Sequence, residues 1–384
     1  MAKFPKKLSK KLENRIKENA FRKLTQKTGL VDFSSNDYLG FSKEEFISKR
    51  ASKIWADFGN GQNGATGSRL LSGNHQLHEA LEAFLANFYH AKSSLIFNSG
   101  YDANLGFFST VPQRGDSIMY DELCHASIRD GIRLSNAHSY KFKHNDLDDL
   151  DRLVQRFRKD NLNGDIYVAT ESVFSMDGDS PDVLKLADFC SKGRLFLVID
   201  EAHAVGVFEK GMVSKLGLEE KVFARIITFG KAFGIHGAAI LGSTELRDFL
   251  VNYCRSFIYT TALAPHALAM ILASHEFFEE GGKEQIRLLR EVIDHFKSKV
   301  VENGMVDYFC LNDSAIQVCQ VTGNDKVKGL SMNLEDAGFD VRPILSPTVA
   351  KGEERLRFCL HSYNSTTEMD LALGIIKNTL VNEE

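Results

Sequence analysis

Two kinds of hydrophobic spacing alternate along the chain. Apolar residues recur at three- and four-residue steps over Gln76–Tyr89, which predicts an amphipathic helix, and the apolar run Ser93–Phe97 behind it predicts a buried strand. Further strand candidates come at Ser117–Tyr120, Asp165–Thr170, Leu195–Asp200, Ala224–Phe229 and Ala238–Gly242, mostly separated by helical stretches or turns. Strands that read as continuous apolar runs are covered on both faces, so the rhythm predicts an α/β domain on a mainly parallel sheet. A long helical stretch near Pro265–Asn303 follows. The texture then changes to short strands, Ala315–Val321 and Leu356–Leu360, and a closing helix from Thr367, as in a smaller α+β domain. The organisation expected is an N-terminal arm over 1–40, a large domain over 41–250, and a linking helix with a small C-terminal domain over 251–384.

Charge sets the N-terminus apart. Residues 1–27 hold ten Lys or Arg against two Glu, although the whole chain carries a formal net charge of −4. Leu8, Leu12, Ile16, Phe21 and Leu24 fall at helical spacing, so the segment reads as a basic amphipathic helix. Its modest stripe, without Trp, favours packing on its own protein or a partner subunit over a membrane surface.

At 384 residues the chain has room for two to three structural units of about 150 residues each. With 43% hydrophobic and 26% charged residues and no global basic excess, it is expected neither to be disordered nor to bind nucleic acid. No apolar stretch approaches the roughly eighteen residues of a membrane span. The six cysteines form no C-x-x-C pair and no apolar leader follows the start, so neither a disulfide framework nor a metal site is expected, and reduced cytoplasm is the expected compartment.

Two motifs are decoys. Gly59-Asn60-Gly61-Gln62-Asn63-Gly64 satisfies the dinucleotide fingerprint, but Ile54–Phe58 before it reads as a helix end, where the fingerprint needs a strand. Asp200-Glu201-Ala202-His203 imitates a helicase acidic box, yet no G-x-x-x-x-G-K-[ST] phosphate loop accompanies it.

The residues with chemical promise are Lys231, Asp200 and His203. Lys231 follows an apolar strand between Gly230 and Gly234, where apolar surroundings lower an ammonium pKa and free the amine to attack carbonyls. Asp200 closes Leu195–Ile199 at a strand C-terminus, the edge where open α/β sheets bind ligands. A Schiff-base lysine, a carboxylate for a pyridine nitrogen and a histidine one turn on are the parts of a pyridoxal phosphate enzyme.

The ordered series Asn36–Gly40, Gly64–Arg69, Asn98–Tyr101, His125–Ser127, Glu171–Asp179, Asp200–His203 and Thr228–Lys231 resembles the α-oxoamine synthases over residues 30–361. These are fold-type I pyridoxal phosphate enzymes that condense an amino acid with an acyl thioester. The resemblance implies a large domain with a mainly parallel seven-stranded sheet, a smaller α+β C-terminal domain, and a homodimer with its active site at the subunit interface. It implies that Lys231 carries the cofactor, His125 stacks on its ring, Asp200 pairs with the ring nitrogen, and His203 with Ser175 contacts the phenolic oxygen. Gly100, Tyr101 and Thr228, with Thr261 of a second copy, would hold the phosphate. Arg357 would grip the substrate carboxylate, with Arg22, Asn36 and Arg342 on the substrate side; Arg355 reads as a solvated strand residue. Phe174–Asp179 and Ile258–Ala262 are most similar to the biotin-pathway branch, which implies L-alanine and a pimeloyl thioester on CoA or an acyl carrier protein. Glycine acetylation, or serine palmitoylation, is the alternative within the family.

Overall fold

The computed structural model describes residues 4–24, 29–58, 62–160, 164–346 and 348–381. In chain order the first elements are α1 (Lys6–Lys17), β1 (Val31–Asp32), α2 (Glu45–Phe58), α3 (Gln76–Phe88), β2 (Ser93–Phe97), α4 (Gly100–Thr110), β3 (Ser117–Asp121), α5 (Ala126–Leu134) and β4 (His138–Phe142). They continue with α6 (Leu147–Asp160), β5 (Ile166–Glu171), α7 (Val183–Gly193), β6 (Phe196–Asp200), β7 (Ala224–Thr228) and β8 (Ala238–Gly242). After the 38-residue helix Pro265–Glu302 come β9 (Phe309–Cys310), β10 (Ile316–Gln320), β11 (Phe339–Asp340), β12 (Arg342–Ile344) and β13 (Arg355–Cys359), and the helix Thr366–Val381 closes the chain.

Residues 36–175 and 179–287 form one compact unit. Its seven strands run in the order β2-β8-β7-β6-β5-β3-β4, and only β8 is antiparallel to its neighbours. The expected fold class, mainly parallel and seven-stranded, is therefore the one observed. The period of two decides which face each side chain enters. Tyr167, Ala169 and Val198 join Phe107 and Ile128 in the core under α4 and α5, whereas Val168, Leu197 and Ile199 join Leu150 and Leu186 on the opposite face. By the same parity Glu171 and Asp200, registered partners across β5 and β6, point to the α4–α5 face, and Asp121 points to the other. β4, at one edge, has no apolar run because His138, Ser139 and Lys141 are exposed; polar edges deter pairing with other chains.

Residues 1–35, 176–178 and 288–384 form the second unit. Its sheet is antiparallel, in the order β12-β13-β10-β9, and β1 pairs in parallel with β11. The basic helix α1 is present but shorter than its pattern: it stops at Lys17, Asn19 turns into the left-handed region at φ 49°, and Phe21 and Leu24 lie outside it. None of the residues of α1 is buried, and Leu8, Leu12 and Ile16 of its apolar stripe stay exposed on this chain. Among the described residues no helix is long and apolar enough to cross a membrane.

Candidate active site

Parallel strands leave their C-terminal carbonyls and the following turns on one edge of a sheet, so β3, β5, β6 and β7 deliver Asp121, Glu171, Asp200 and Thr228 to the same rim. Asp200 is buried, yet its two hydrogen bonds come from neutral donors: the Asn104 Nδ2 amide of α4 at 2.7 Å and the Ala202 N–H at 2.9 Å. Among the described residues no guanidinium or ammonium pairs with it. Asn104 also donates to Ser127 Oγ at 3.1 Å, and its own buried Oδ1 has no partner. Ser127 in turn lies 2.8 Å from His125 Nδ1, which also accepts the Ser127 N–H at 3.2 Å. With Nδ1 so occupied, the neutral His125 ring carries its proton on Nε2. That ring caps α5 and is itself exposed, its backbone N–H tied to Glu171 Oε1 at 2.6 Å.

Lys231 sits in the turn after β7, its Nζ 2.7 Å from Nε2 of the buried His203. His203 Nδ1 lies 2.7 Å from the hydroxyl of Tyr38, which is wholly buried and hydrogen-bonded to Asn36 Oδ1. The Lys231 turn is closed by Gly234 at φ +65°, where a Cβ would come within 2.3 Å of the Ser42 nitrogen; only glycine takes that path.

Gly100 and Tyr101 open α4, whose N-cap Ser99 accepts from the Asp102 N–H. A Cβ on Gly100 would meet Thr228 Cβ at 3.4 Å, so that helix terminus and the Thr228 hydroxyl adjoin. Helix N-terminal amides beside a hydroxyl suit a phosphate. Tyr101 is exposed and its hydroxyl reaches Asp130 at 2.5 Å. The exposed Thr261 lends its carbonyl to Asn98 Nδ2 at 2.9 Å, and Ser175 is half-buried behind Phe174.

A pyridoxal phosphate molecule fits this set of groups. A buried carboxylate without a cationic partner suits a pyridinium nitrogen, the buried Asn104 Oδ1 beside it lacks a hydrogen-bond partner, and the Lys231 amine stands beside a histidine.

Within their own unit, Arg357 and Arg342 are registered partners on β13 and β12. Arg357 is 9% exposed, with Nη1 against Cys359 Sγ; Arg342 pairs with Asp340 at 3.2 Å, and Arg22 donates to Thr348 Oγ1 at 3.1 Å. Arg355 departs from expectation: it is 4% exposed, not solvated, because it pairs with Asp177.

The decoys resolve structurally. Glu201 of the acidic box is fully buried and paired with Arg225 at 2.7 Å, a brace for β6 and β7. Gly59, Asn60 and Gly61 lie outside the described residues, and α2 precedes them where the dinucleotide motif needs a strand. All six cysteines are free, and no metal-ligating cluster occurs among the described residues. Reading by motif missed Asn104 and Tyr38 as members of the site's framework. An Asn within an apolar helix face was the available signal for the first.

Comparison with known proteins agrees with this geometry. Residues 28–376 match the family model for aminotransferase class I and II. The chain is 40% identical to 8-amino-7-oxononanoate synthase of Emericella nidulans, over 94% of this chain and 92% of that one. It is 36% identical to a putative 8-amino-7-oxononanoate synthase of Aquifex aeolicus, over 95% of each. The structure of the Francisella tularensis 8-amino-7-oxononanoate synthase superposes with a TM-score of 0.76 at 28% identity, covering 93% of this chain and 99% of that one. A serine palmitoyltransferase from S. paucimobilis shares the fold, with a TM-score of 0.86 at 23% identity over 98% and 97% of the two chains. Likeness of this extent, converging on a carboxylate, lysine and histidine at one sheet edge, means that the chain belongs to the aminotransferase class I and II family, among the pyridoxal phosphate-dependent α-oxoamine synthases of the 8-amino-7-oxononanoate synthase group.

Proposed function

We propose that the enzyme condenses L-alanine with a pimeloyl thioester, releasing the thiol and CO2 and leaving 8-amino-7-oxononanoate for biotin biosynthesis. Pyridoxal phosphate, when bound, supplies the electron sink that a carbanion at the amino-acid α-carbon requires. The Lys231 amine would anchor the cofactor covalently and, as a free amine, would serve as the base for the amino-acid α-proton; His203, 2.7 Å away, accepts a hydrogen bond from it and keeps it oriented. Asp200 would keep the ring nitrogen protonated, its neutral donors leaving its charge for that purpose. His125 would stack on the cofactor ring, and His203 and Ser175 would hold its phenolic oxygen. The Gly100 and Tyr101 amides with Thr228 would take the phosphate dianion, and Thr261 of a second copy would complete that cradle in a homodimer. Arg357 offers a planar fork to the alanine carboxylate, and Arg22, Asn36 and Arg342 serve the substrate side. The thiol carrier is CoA or an acyl carrier protein, and the compartment is the cytoplasm.

The observation that carries this reading is the Lys231–His203 contact on the same rim as a buried aspartate without a cation. Borohydride reduction of enzyme loaded with pyridoxal phosphate, followed by peptide mapping, should place the cofactor on Lys231, and Lys231→Ala should abolish that adduct. Turnover of alanine, glycine and serine against pimeloyl, acetyl and palmitoyl thioesters then tests the substrate pair. Exclusive use of glycine with acetyl-CoA would replace alanine and pimelate in this scheme.

A further inference from the structure

Glu171 takes no part in the chemistry above, yet it is 2% exposed at the end of β5 and registered opposite Asp200 on the same face of the sheet. Neighbouring strands run about 4.8 Å apart, so two carboxyl groups leave adjacent backbones side by side in a site without bulk water. Other buried acids of this rim have cations: Asp121 has His144 at 2.9 Å, and Glu201 has Arg225. Glu171 receives a backbone N–H from His125 at 2.6 Å, and among the described residues no cation pairs with it. Two adjacent carboxylates cannot both ionise cheaply in such a place, and one keeps its proton.

We propose that Glu171 is the member of the pair that keeps its proton in the folded enzyme: a positioning residue that leaves Asp200 as the single anion of that face and fixes His125 through its backbone N–H. Asp200 is the better anion because two N–H donors stabilise its charge, where Glu171 has one. The charged groups around Glu171, on its own face and across the sheet, are consistent with this assignment. Asp200 of β6 and Asp121 of β3 disfavour its charge, as burial does first of all, while Lys231 and the His125 N–H favour it; together they push its pKa up to about 8. Cys124, fully buried beside it, is held above its ordinary range chiefly by burial, so it carries no competing charge. The inference rests on the proposed reading only in naming a pyridine ring as what Asp200 meets.

The sign of the effect on stability is fixed. An acid whose folded pKa is raised binds a proton that the unfolded chain has lost, so stability falls as pH rises from the unfolded value near 4.5 to about 8. The test uses cofactor-free wild type and Glu171→Gln, which replaces a protonated carboxyl by a neutral group of the same shape. Wild type should show an infrared carbonyl stretch of a protonated carboxyl that titrates near pH 8 and is missing from Glu171→Gln. The variant should also lose part of the decline in Tm across that window. Titrated with pyridoxal phosphate and followed by visible absorbance, Glu171→Gln should bind within about threefold of wild type, whereas Asp200→Asn should bind at least tenfold more weakly. Absence of any such band in wild type overturns the proposal even if the variant does not fold. So does an unchanged pH profile with cofactor affinity lost in Glu171→Gln. The spectroscopic and stability readouts use the unloaded chain, so failure of the borohydride mapping and failure of this assignment are separate results.

Discussion

His144 shows how one side chain balances several charges. Burial alone would lower its pKa, but hydrogen bonds to Asp121 at 2.9 Å and Asp179 at 2.8 Å outweigh that and lift it to about 10. A histidine raised in the folded state contributes stability that is complete below its unfolded value of about 6.5 and is lost as pH rises toward 10. His144→Phe should therefore cost about 3 kcal/mol at pH 6, since Asp121 would be left buried without its cation, and the cost should shrink toward pH 10. Denaturant melts of both proteins across that range check it. The opposed requirements of Asp121 and Glu171 explain why neither could be assigned from sequence. Acidic residues at strand ends look alike until parity and neighbours put one on each face of the sheet.

Among the elements, β6 and β7 carry the heaviest constraint because they bring Asp200 and the Lys231 turn to one rim. The Glu201–Arg225 pair ties the end of β6 to β7, with Arg225 also donating to the carbonyls of Tyr89 and Lys210. Glu201→Gln leaves the guanidinium buried without its counter-charge and should cost about 3–5 kcal/mol in denaturant unfolding. Its effect on the visible absorbance of loaded enzyme should be small, because Glu201 touches no group assigned to the cofactor. The apolar strands were legible in the chain to within a residue or two, β5 and β6 most plainly, because burial on both faces leaves an uninterrupted hydrophobic run. Edge strand β4 was not legible: with one side open to water it needs no such run. Arg355 was misread for a related reason, since an arginine in a short strand carries no mark of the Asp177 carboxylate that buries it.

On the scale of the whole molecule, the charge asymmetry seen in the sequence persists. The basic segment forms a helix with Leu8, Leu12 and Ile16 exposed, and behind it, within the same unit, Asn19 is hydrogen-bonded to Asp325 and Lys328. Because no residue of α1 is buried, removal of residues 1–17 should shift Tm by no more than about 0.5 °C, equivalent to a few tenths of a kcal/mol, in a thermal melt of the truncated chain. A larger loss would mean that the stripe is covered in the assembled enzyme. The sequence alone determined the periodicities, hence the α/β class and the C-terminal change of texture, and it singled out Lys231, Asp200 and His203, because local spacing and residue chemistry are properties of the chain itself. Tertiary structure decided which carboxylates stand side by side, which acquire cations, and that Asn104 and Tyr38 support the reactive groups. Those relations join residues as far apart as Tyr38 and His203, and no local pattern records them.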